Sequence, residues 1–364
     1  MAIKFLSKTS PSRLHGTALL RLDFNTKDDW RMKAVLPTVR LLLARADKVV
    51  IVSHRGRPEG ITPKLSLKGD AAVLGRFLGR KVAFIPHFRF GEIRRAVAAA
   101  PRGSVFLLEN LRFMKGEEAN SRSFAKDLAS LADFYVNDAF AVSHRANASV
   151  SLVPKLMPSY AGLELEREIV ALSRAMVSPK HPLILILGGA KAADKLGVVK
   201  FFKNKADTFL LGGGPANTIL AARGMDVKRS VRDTDANDAK ALANVLRGAD
   251  VVLPTDFVWH GNMIWDFGLK TAKAFAKKIA GARTILWSGP LGLIENKKYA
   301  RGSIATVRAI ARNRKVFSLA GGGETVMFLK KYRLDKKFSF ISTGGGAMID
   351  FLAGKKLPGI EALK

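Results

Sequence analysis

Short apolar runs recur along the whole 364-residue chain, and amphipathic stretches separate them. We interpret nine of these runs as strands: residues 17–24, 47–54, 103–110, 133–140, 183–189, 207–214, 250–257, 283–290 and 338–346. The stretches between them, such as 123–132 and 271–280, carry apolar residues at helical spacing. Because strands that alternate with helices pair in parallel through crossover connections, this pattern predicts an α/β protein whose parallel sheets are covered by helices.

Chain length and the distribution of glycine both predict two domains. Only 9 of the 32 glycines lie in residues 1–150, whereas glycine clusters end several apolar runs in the second half, at 188–189, 212–214, 321–323 and 344–346. Between the halves, residues 160–177 have a helical period and predict a connecting helix. We therefore expect a first domain over 1–159 and a second over 178–346.

The charge of the chain is unusual and indicates anionic ligands. Sixty-one Lys and Arg residues stand against 30 Asp and Glu residues, which gives a formal net charge of +31. Such a field attracts nucleic acid, acidic membrane surfaces or phosphorylated metabolites. The cations are spread along the chain, and we find no RNA-recognition signature, zinc finger or basic zipper region. This distribution favours a solvated basic surface over a dedicated nucleic-acid groove, so nucleic acid is expected only as a non-specific electrostatic partner.

Composition also excludes several classes of site. The chain has no cysteine, which rules out disulfides, a thiol nucleophile and thiolate metal ligands. No apolar run reaches the length of a membrane span, and residues 1–10 lack the apolar core of a signal peptide. We therefore expect a cytoplasmic protein with no membrane partner.

Polar and cationic residues follow the strands of the first half. They are Asp23 and Asn25 after the first run, His54 and Arg57 after the second, Arg112 after the third, and His144 and Arg145 after the fourth, with Arg31 in the first turn of a helix over 30–43. In open parallel sheets, ligands bind at the carboxyl ends of the strands. Since guanidinium groups match phosphate and carboxylate geometry, their convergence predicts a site for a small anion.

The strand ends of the second half carry glycine and lysine instead. The run at 183–187 leads into Gly188 and Gly189, which permit a tight turn and a close approach of backbone to ligand. Lys191 and Lys195 are four residues apart, which predicts that they share one face of a following helix. Free N–H groups at a helix start, together with these cations, predict a site for a longer phosphate chain.

Taken in order, these motifs resemble the phosphoglycerate kinase family from about residue 17 to residue 363. The motifs are RLDFN, SHRGRP, ENLRF, SHRANAS, LGGAKAADK, LGGG, WSGPLGLIE, GGGET and STGGGAMIDFLAGKKLPG. The resemblance implies two domains joined by a helix with a cleft between them, and a final segment, 347–364, that returns to the first domain. It implies 3-phosphoglycerate on the first domain, the magnesium complex of ATP or ADP on the second, and domain closure to bring them together. It also implies a monomer without a tightly bound organic cofactor.

The resemblance carries specific roles onto matching positions. The phosphoglycerate site would comprise Asp23, Asn25, Arg31, His54, Arg57, Arg112 and Arg145, with Arg31 facing the reacting carboxyl group. The nucleotide site would comprise Lys191 and Lys195 at the phosphates, Gly212, Gly213, Gly214, Pro290 and Leu293 around adenine, Glu295 at the ribose, and Gly321, Gly322, Gly323 and Thr325 in a phosphate loop. Glu324 would lie near the magnesium ion, and Lys195 would lie nearest the phosphoryl group that is transferred.

This assignment agrees with the chemistry of phosphoryl transfer. The reaction needs positioning and charge stabilisation more than covalent chemistry from the protein. A carboxylate nucleophile is already ionised at neutral pH, so no general base is required, and 1,3-bisphosphoglycerate and ADP are the products. The expected reaction is the reversible phosphoryl transfer of glycolysis and gluconeogenesis.

The chain departs from the family's usual pattern at several positions. Ser288 stands where the family usually has Asn, Glu324 where it has Asp, Asn147 where it usually has His, and Thr26-Lys27 where it has Val-Pro. None of these changes removes a cation from the anion sites. Trp265 is a candidate for the far wall of the adenine pocket, alongside its interpretation as a core residue.

Two other functions compete with this assignment. A nicotinamide dehydrogenase would share the architecture, but no G-x-G-x-x-G follows a strand, and no G-x-x-x-x-G-K-[ST] loop occurs. A catalytically weakened or non-catalytic relative that binds anions or nucleic acid is the remaining alternative, on account of the charge and the departures.

Overall fold

The computed structural model describes residues 3–26 and 28–364, so Lys27 and the first two residues of the N-terminal stretch lie outside the described residues. The chain divides into two compact units. Unit 1 extends to Ile169 and takes in Lys356–Lys364, and unit 2 is Val170–Lys355. The chain therefore returns to unit 1 at Lys356, nine residues after the expected position at 347. The reason is that the helix Gly346–Leu352 packs on the helix Leu196–Phe202 of unit 2.

The strands, in chain order, form two sheets and a hairpin. Those of the first sheet are β1 (Thr17–Arg21), β2 (Lys48–Val52), β3 (Ala83–Ile85), β4 (Val105–Leu108), β5 (Phe134–Asn137) and β6 (Ser159–Ala161). In unit 2 follow β7 (Leu183–Leu187), β8 (Thr208–Leu211), β9 (Val251–Val252), the hairpin β10 (Phe257–His260) and β11 (Met263–Phe267), then β12 (Thr284–Ser288), β13 (Phe317–Gly321) and β14 (Phe340–Ile341).

Helices cover both sheets. Unit 1 contains α1 (Trp30–Arg45), α2 (Lys68–Leu78), α3 (Phe90–Ala99), α4 (Lys115–Glu118), α5 (Arg122–Ala129) and the start of α6 (Leu163–Val177), which crosses the division. Unit 2 contains α7 (Leu196–Phe202), α8 (Gly213–Ala222), α9 (Ala236–Leu246), α10 (Leu269–Gly281), α11 (Arg301–Arg312), α12 (Gly323–Lys331) and α13 (Gly346–Leu352), and α14 (Pro358–Glu361) closes unit 1. The stretch 160–177, expected to form a helix, contains α6, which starts later than expected because β6 occupies Ser159–Ala161.

The sheet of unit 1 is parallel throughout, with the order β3-β4-β2-β1-β5-β6. Its central strands bury nearly every side chain, as strands covered on both faces must. On one face, the buried stripe Met32, Val35, Val39 and Leu42 of α1 packs in the same apolar core as Leu20 and Val49. The core therefore fixes α1 against the sheet, with its N-terminus near the end of β1.

The sheet of unit 2 is also parallel, with the order β14-β13-β12-β7-β8-β9. Its two central strands, β12 and β7, are separated by a long stretch of sequence, and the chain builds outward from them in opposite directions. This is the doubly wound arrangement, in which the connections diverge at the boundary between the two central strands. Phe275, Ile279, Trp287 and Phe328 lie in the apolar core that joins this sheet to its helices.

The nine predicted strand runs each contain an observed strand, and the prediction of parallel α/β sheets is confirmed. Sequence analysis missed β3, β6, β10, β11 and β13. Two of these have only three residues, the hairpin is partly exposed, and Ser318 and Ala320 interrupt the apolar pattern of β13. Among the described residues, no helix has both the length and the apolar character that crossing a membrane requires.

Buried carboxylates gather at the start of α6. Asp138 accepts hydrogen bonds from the backbone N–H groups of Glu164 and Leu165, both at 2.9 Å, and so caps the helix. Burial raises the pKa of Asp138 to about 6. Burial, and then the charge of Glu168, raise the pKa of Glu164 to about 8, although Arg167 donates a hydrogen bond to it at 3.0 Å.

We predict that Glu164 makes unit 1 less stable as the pH rises. Between the ordinary pKa of a glutamic acid and about 8, the folded chain keeps a proton on Glu164 that the unfolded chain releases. Urea unfolding of Glu164→Gln should therefore show a gain in stability relative to wild type that is larger at pH 8.5 than at pH 5. Glu166→Gln on the same helix is the control, and a difference that does not change with pH would contradict the prediction.

Candidate functional site

The strand-end residues predicted from the first half lie at one edge of the unit 1 sheet. Asp23 and Asn25 follow β1, His54 and Arg57 follow β2, and Arg112 follows β4. Arg145 comes after β5, beyond a short helical turn at Phe140–Val142, and Arg31 is the second residue of α1, as predicted. Because all strands are parallel, these segments leave the sheet on the same side.

Direct contacts bring several of these residues together. Arg31 donates to the Asp23 carboxylate at 2.8 Å, and the Asp23 carboxylate lies 3.8 Å from Nδ1 of His54. Asn25 accepts the N–H of Gly56 at 2.8 Å, and Arg112 donates to the carbonyl of the same glycine. Gly56 has a φ of +64°, a conformation that suits glycine, so this residue lets the second loop bend toward both neighbours.

The cluster has an excess of positive charge. Burial lowers the pKa of His54 well below its usual value, and the charges of Arg21, Arg112 and Arg145 lower it further against the opposing effect of Asp23. Burial, followed by repulsion from Arg145, also lowers the pKa of Arg112, which pairs with Glu118 at 3.1 Å. Cations that repel one another in a partly buried position favour an anionic ligand, since its charge relieves the repulsion.

Arg57 differs from the other predicted residues. Its side chain is exposed, and within the described parts of the chain it forms no hydrogen bond or ion pair with the rest of the cluster. Asn147, a departure from the family pattern, is buried, and its backbone carbonyl accepts the N–H groups of Val150 and Ser151. This residue therefore begins the turn at 148–152 that supports the cluster from behind.

A buried network below the cluster was missed by sequence analysis. Arg21 is 2% exposed and donates from Nε to Ser149 at 2.9 Å, while its Nη2 lies 3.3 Å from Nδ1 of His54. Glu117, which is fully buried, accepts hydrogen bonds from the backbone N–H and the hydroxyl of Ser149. The network fixes the orientation of the His54 ring, and its only sequence signal was an arginine inside an apolar run.

A second missed residue, Arg55, ties three segments together. It binds the Asp70 carboxylate of α2 through two nitrogens, at 2.6 and 3.3 Å, and it donates to the carbonyl of Thr26 at 3.1 Å. Asn110 adds a link, because its side chain bonds to the backbone of Arg55 at both N–H and C=O. The loops after β1, β2 and β4 are therefore held in a fixed mutual arrangement.

In unit 2, glycines allow backbone to pack on backbone where β7 and β12 end. A Cβ atom added to Gly188 would stand 2.2 Å from the carbonyl oxygen of Pro290, and one on Gly214 would stand 2.1 Å from that of Ala190. The N–H of Gly189 donates to Pro290 at 2.7 Å, and the N–H of Gly214 donates to Gly189 at 2.8 Å. No other residue fits at these contacts, and they lie at the switch point where doubly wound sheets bind ligands.

A cavity of about 230 Å³ opens beside these glycines. Of the residues predicted for a nucleotide, Gly213, Gly214, Pro290, Leu293, Glu295 and Glu324 line it. Its other walls are mostly apolar, and they include Val231, Phe257, Met263, Ile264 and Trp265. An apolar cavity lined by a few polar groups suits a heteroaromatic base.

The β10–β11 hairpin forms the wall that sequence analysis could not place. Trp265 lines the cavity, and its ring lies 4.6 Å from that of Tyr299 and 4.3 Å from that of His260. Leu293 donates its N–H to the carbonyl of Trp265 at 2.8 Å, which joins the hairpin to the loop after β12. Asp266 accepts the N–H of Gly302 at 2.8 Å and fixes the hairpin to α11, and burial raises the pKa of this carboxyl group to about 7.

The expected placement of the two lysines is wrong in one respect. Lys191 and Lys195 do not share a helix face, because Lys191 lies in the loop and α7 begins only at Leu196, after a single 3₁₀ turn at Ala193–Lys195. The loop continues because Gly189 takes a φ of +87° and Asp233 holds the N–H of Ala193 at 2.6 Å. Lys191 is exposed, and Lys195 is half-buried.

Lys195 lies against the end of β12. Its Nζ donates to the hydroxyl of Ser288 at 3.1 Å. Burial lowers the pKa of Lys195, while the charges of Asp194 and Glu324 raise it. An ammonium group with one hydroxyl partner keeps two N–H donors for a ligand.

The predicted phosphate loop follows β13. Gly321 ends the strand, Gly322 has a φ of +95°, and α12 begins at Gly323, where an added Cβ would meet no atom within 4 Å. The hydroxyl of Thr325 is fully buried and accepts the N–H of Gly289 at 2.8 Å, so this residue joins the loops after β12 and β13 instead of facing open space. Gly212 precedes α8 as its N-cap residue. Two helix N-termini therefore stand at this edge of the sheet.

Glu324 is the acidic residue at the N-terminus of α12. Its carboxylate is exposed and lies near both Gly189 and the charge of Lys195. Within residues 3–26 and 28–364, no three His, Asp or Glu residues are grouped as metal ligands. This edge offers one carboxylate to a cation, which suits magnesium held mainly by phosphate oxygens.

Comparisons with known proteins agree with this architecture. The family model described as phosphoglycerate kinase matches residues 15–355. The phosphoglycerate kinase of Dictyoglomus turgidum is 40% identical over 375 residues, which cover 95% of each chain, and the cytosolic phosphoglycerate kinase of Triticum aestivum is 40% identical over 361 residues, covering 92% of this chain and 90% of the relative.

Solved structures give the same result. The phosphoglycerate kinase from Coxiella burnetii superposes with a TM-score of 0.86 at 32% identity and covers 100% of this chain and 99% of its own. The enzyme from Pyrococcus horikoshii OT3 gives a TM-score of 0.87 at 32% identity, with 99% and 98% covered.

The cationic cluster of unit 1 generates a direct prediction. Sulfate should raise the unfolding temperature of unit 1, because binding to the folded state stabilises it. Arg145→Gln should weaken the apparent sulfate affinity about tenfold, the expected effect of removing a charged hydrogen-bond donor. Arg122→Gln, an exposed arginine on α5, is the control, and equal weakening by both variants would show that the effect is one of net charge only.

Proposed function

The chain belongs to the phosphoglycerate kinase family, and we propose that it catalyses reversible phosphoryl transfer between ATP and the carboxylate of 3-phosphoglycerate. The observation that carries this proposal is the pairing of two different sites on one chain. Unit 1 has a partly buried cluster of cations, and unit 2 has a glycine-lined apolar cavity beside two helix N-termini. The products in the forward direction are 1,3-bisphosphoglycerate and ADP, and the reaction is that of glycolysis and gluconeogenesis.

Unit 1 binds the phosphoglycerate in this proposal. Arg112, Arg145 and His54 receive one anionic group of the ligand, and Asn25 and Asp23 orient the loop around it. Arg31 is poised by its contact with Asp23 and faces the reacting carboxylate. Arg57, which is exposed, reaches the ligand from solvent. Support comes from the mutual repulsion of these cations, which a dianion removes.

Unit 2 binds the nucleotide. The adenine ring lies between Pro290 and Leu293 on one side and Trp265 of the hairpin on the other, with Gly212, Gly213 and Gly214 at its edge. Glu295, which is exposed at the rim, receives the ribose hydroxyls. Gly321, Gly322 and Gly323 present backbone N–H groups to the phosphates, and Thr325 keeps that loop in register with the end of β12.

The chemistry is electrostatic. Lys191 neutralises ground-state phosphate charge, and Lys195 meets the charge that develops on the transferred group, so Lys195 and Arg31 are the catalytic residues. Magnesium accompanies ATP or ADP and offsets phosphate charge when bound, with Glu324 as the carboxylate nearest to it. Transfer requires the two bound ligands to meet, which the resemblance attributes to domain closure. We also propose a cytoplasmic monomer without a tightly bound organic cofactor.

A coupled assay tests the activity. Purified protein should consume ATP only when 3-phosphoglycerate and magnesium are both present. The alternative is a weakened or non-catalytic relative, to which Ser288, Glu324 and Asn147 would contribute. Absence of turnover at saturating substrates, with both ligands still bound in calorimetry, would favour that alternative.

Lys195→Ala should lower kcat about a hundredfold or more, with a smaller change in either KM. The reason is that a cation opposite charge that forms only in the transition state acts on kcat. Lys191→Ala is the matched control and should mainly raise the KM for ATP. Steady-state kinetics for both substrates separate the two cases, and a purely KM effect at Lys195 would make it a ground-state contact.

Ser288 is proposed as a positioning residue for Lys195. Ser288→Ala removes the hydroxyl that accepts from Nζ at 3.1 Å, so kcat should fall about tenfold with the KM for 3-phosphoglycerate unchanged. Ser288→Thr keeps the hydroxyl and should recover most of the rate. If alanine and threonine have equal rates, the hydrogen bond has no part in positioning Lys195.

A further inference from the structure

Every strand of the unit 2 sheet begins next to an exposed cation. In each case a Lys or Arg lies one to four residues before the strand, in a loop at the start of that strand. In the order of the sheet from β14 to β9, these residues are Lys337, Lys315, Arg283, Lys180, Lys205 and Arg247. Since the strands are all parallel, the six cations line a single edge, which we call the amino edge.

The spacing of the strands sets the length of the amino edge. Neighbouring strands in a sheet stand roughly 4.8 Å apart, so six strands spread their first residues over about 24 Å, with a progressive twist. Successive phosphates of a nucleic acid strand follow one another at a comparable spacing, about 3.4 Å along the axis of a stacked helix and more when the strand is extended. Long, flexible Lys and Arg side chains accommodate the difference.

These charges are not compensated by carboxylates. None of the six cations forms an ion pair with a described acidic residue, although Lys205 lies over the Phe201 ring and Arg247 donates to Asn244. Three aspartates do occur in the same loops, and each has another partner: Asp207 binds His181, Asp250 binds Lys278 and Asp335 binds Lys330, all at 2.6 Å. The row therefore keeps its positive potential.

The corresponding edge of unit 1 provides an internal comparison. There, exposed cations precede only some of the strands: Arg13, Lys81 and Lys155 lie before β1, β3 and β6. Arg102, before β4, pairs with Asp47 at 2.8 Å, and the four residues before β5 include no Lys or Arg. The edge of the unit 1 sheet therefore has no unbroken row of cations. In the described part of the chain, the row of unpaired cations is thus complete in unit 2 and interrupted in unit 1, although both belong to a chain with a net charge of +31.

We propose that the amino edge of unit 2 binds the phosphate backbone of nucleic acid without regard to base sequence. The row crosses six strands but is only one residue wide. Its shape therefore matches a linear polyanion better than it matches the plane of an anionic membrane. The contacts would be cation to phosphate, which carry no base information and depend strongly on salt.

This surface is separate from the nucleotide cavity. The glycines at 188–189, 212–214 and 321–323 follow the carboxyl ends of the strands, and the cations precede the amino ends of the same strands. A five-residue strand such as β7 sets the two edges roughly 16 Å apart. Nucleic acid at the amino edge should therefore bind while ATP and 3-phosphoglycerate are also bound.

The test is a fluorescence anisotropy titration with a labelled single-stranded RNA of mixed sequence, in saturating magnesium-ATP and 3-phosphoglycerate, over a range of salt concentrations. The edge variant is Arg283→Gln/Lys315→Gln/Lys337→Gln. The matched control is Arg95→Gln/Arg122→Gln/Lys126→Gln, which removes the same charge from exposed positions of unit 1 that have no ion pair. A second variant, Lys180→Gln/Lys205→Gln/Arg247→Gln, probes the other half of the row independently.

We expect wild type and the control to bind alike, and each edge variant to bind at least tenfold more weakly at low salt. The slope of log K against log salt should fall by about 2 in each edge variant, from roughly 0.7 for each lost contact on a single strand. Kinase activity should be the same in all four proteins.

Three results would overturn the proposal. One is equal weakening by the edge and control variants, which would mean attraction by net charge. Another is the absence of RNA binding at low salt. The third is binding to phosphatidylserine vesicles, without binding to RNA, that the edge variants abolish, which would assign the row to a membrane surface.

Discussion

The close approach of backbone to backbone between the loops after β7, β8 and β12 is the constraint on which the cavity of unit 2 depends. Gly188, Gly214 and Gly289 each place their Cα where an added methyl group would overlap a neighbouring carbonyl. Three loops can then meet at the switch point, with N–H groups bonded across them. Any side chain at these positions would separate the loops and move the floor of the cavity, which no adjustment elsewhere in the sheet could restore.

Unit 1 is subject to a different constraint, because its cations must be held close together in the absence of a ligand. The buried Arg21–Ser149–Glu117 network and the partly buried Arg55–Asp70 pair fix the loops of the cationic cluster through hydrogen bonds. The supporting carboxylates are directed at the residues behind the cluster, so they position the cations without neutralising the face that would meet the ligand. Preorganisation of this kind reduces the cost of ordering the site on binding.

Much of this fold could be predicted from sequence, because long apolar runs in alternation with helical periods admit few other architectures. The candidate residues at strand ends were predictable for the same reason: a parallel sheet gathers them at one edge. The predictions that failed concerned local structure. Lys191 and Lys195 looked helical by spacing, but the loop conformation set by Gly189 and Asp233 delays the helix. The β10–β11 hairpin has no clear apolar alternation, so sequence could offer Trp265 as a candidate wall residue but could not predict the hairpin to which it belongs. Arg55 gave no signal, since its role depends on a partner 15 residues away.

The position of Trp265 has a spectroscopic consequence. The chain has four tryptophans, and Trp265 is the one whose indole ring lines the cavity, with the Tyr299 ring edge-on to it and the His260 ring tilted against it. Trp287 is sealed in the core of unit 2, and Trp30 lies in unit 1. A heteroaromatic base that stacks on Trp265 would quench its emission and leave those two unchanged, so the protein contains its own optical reporter of cavity occupancy, readable without a label.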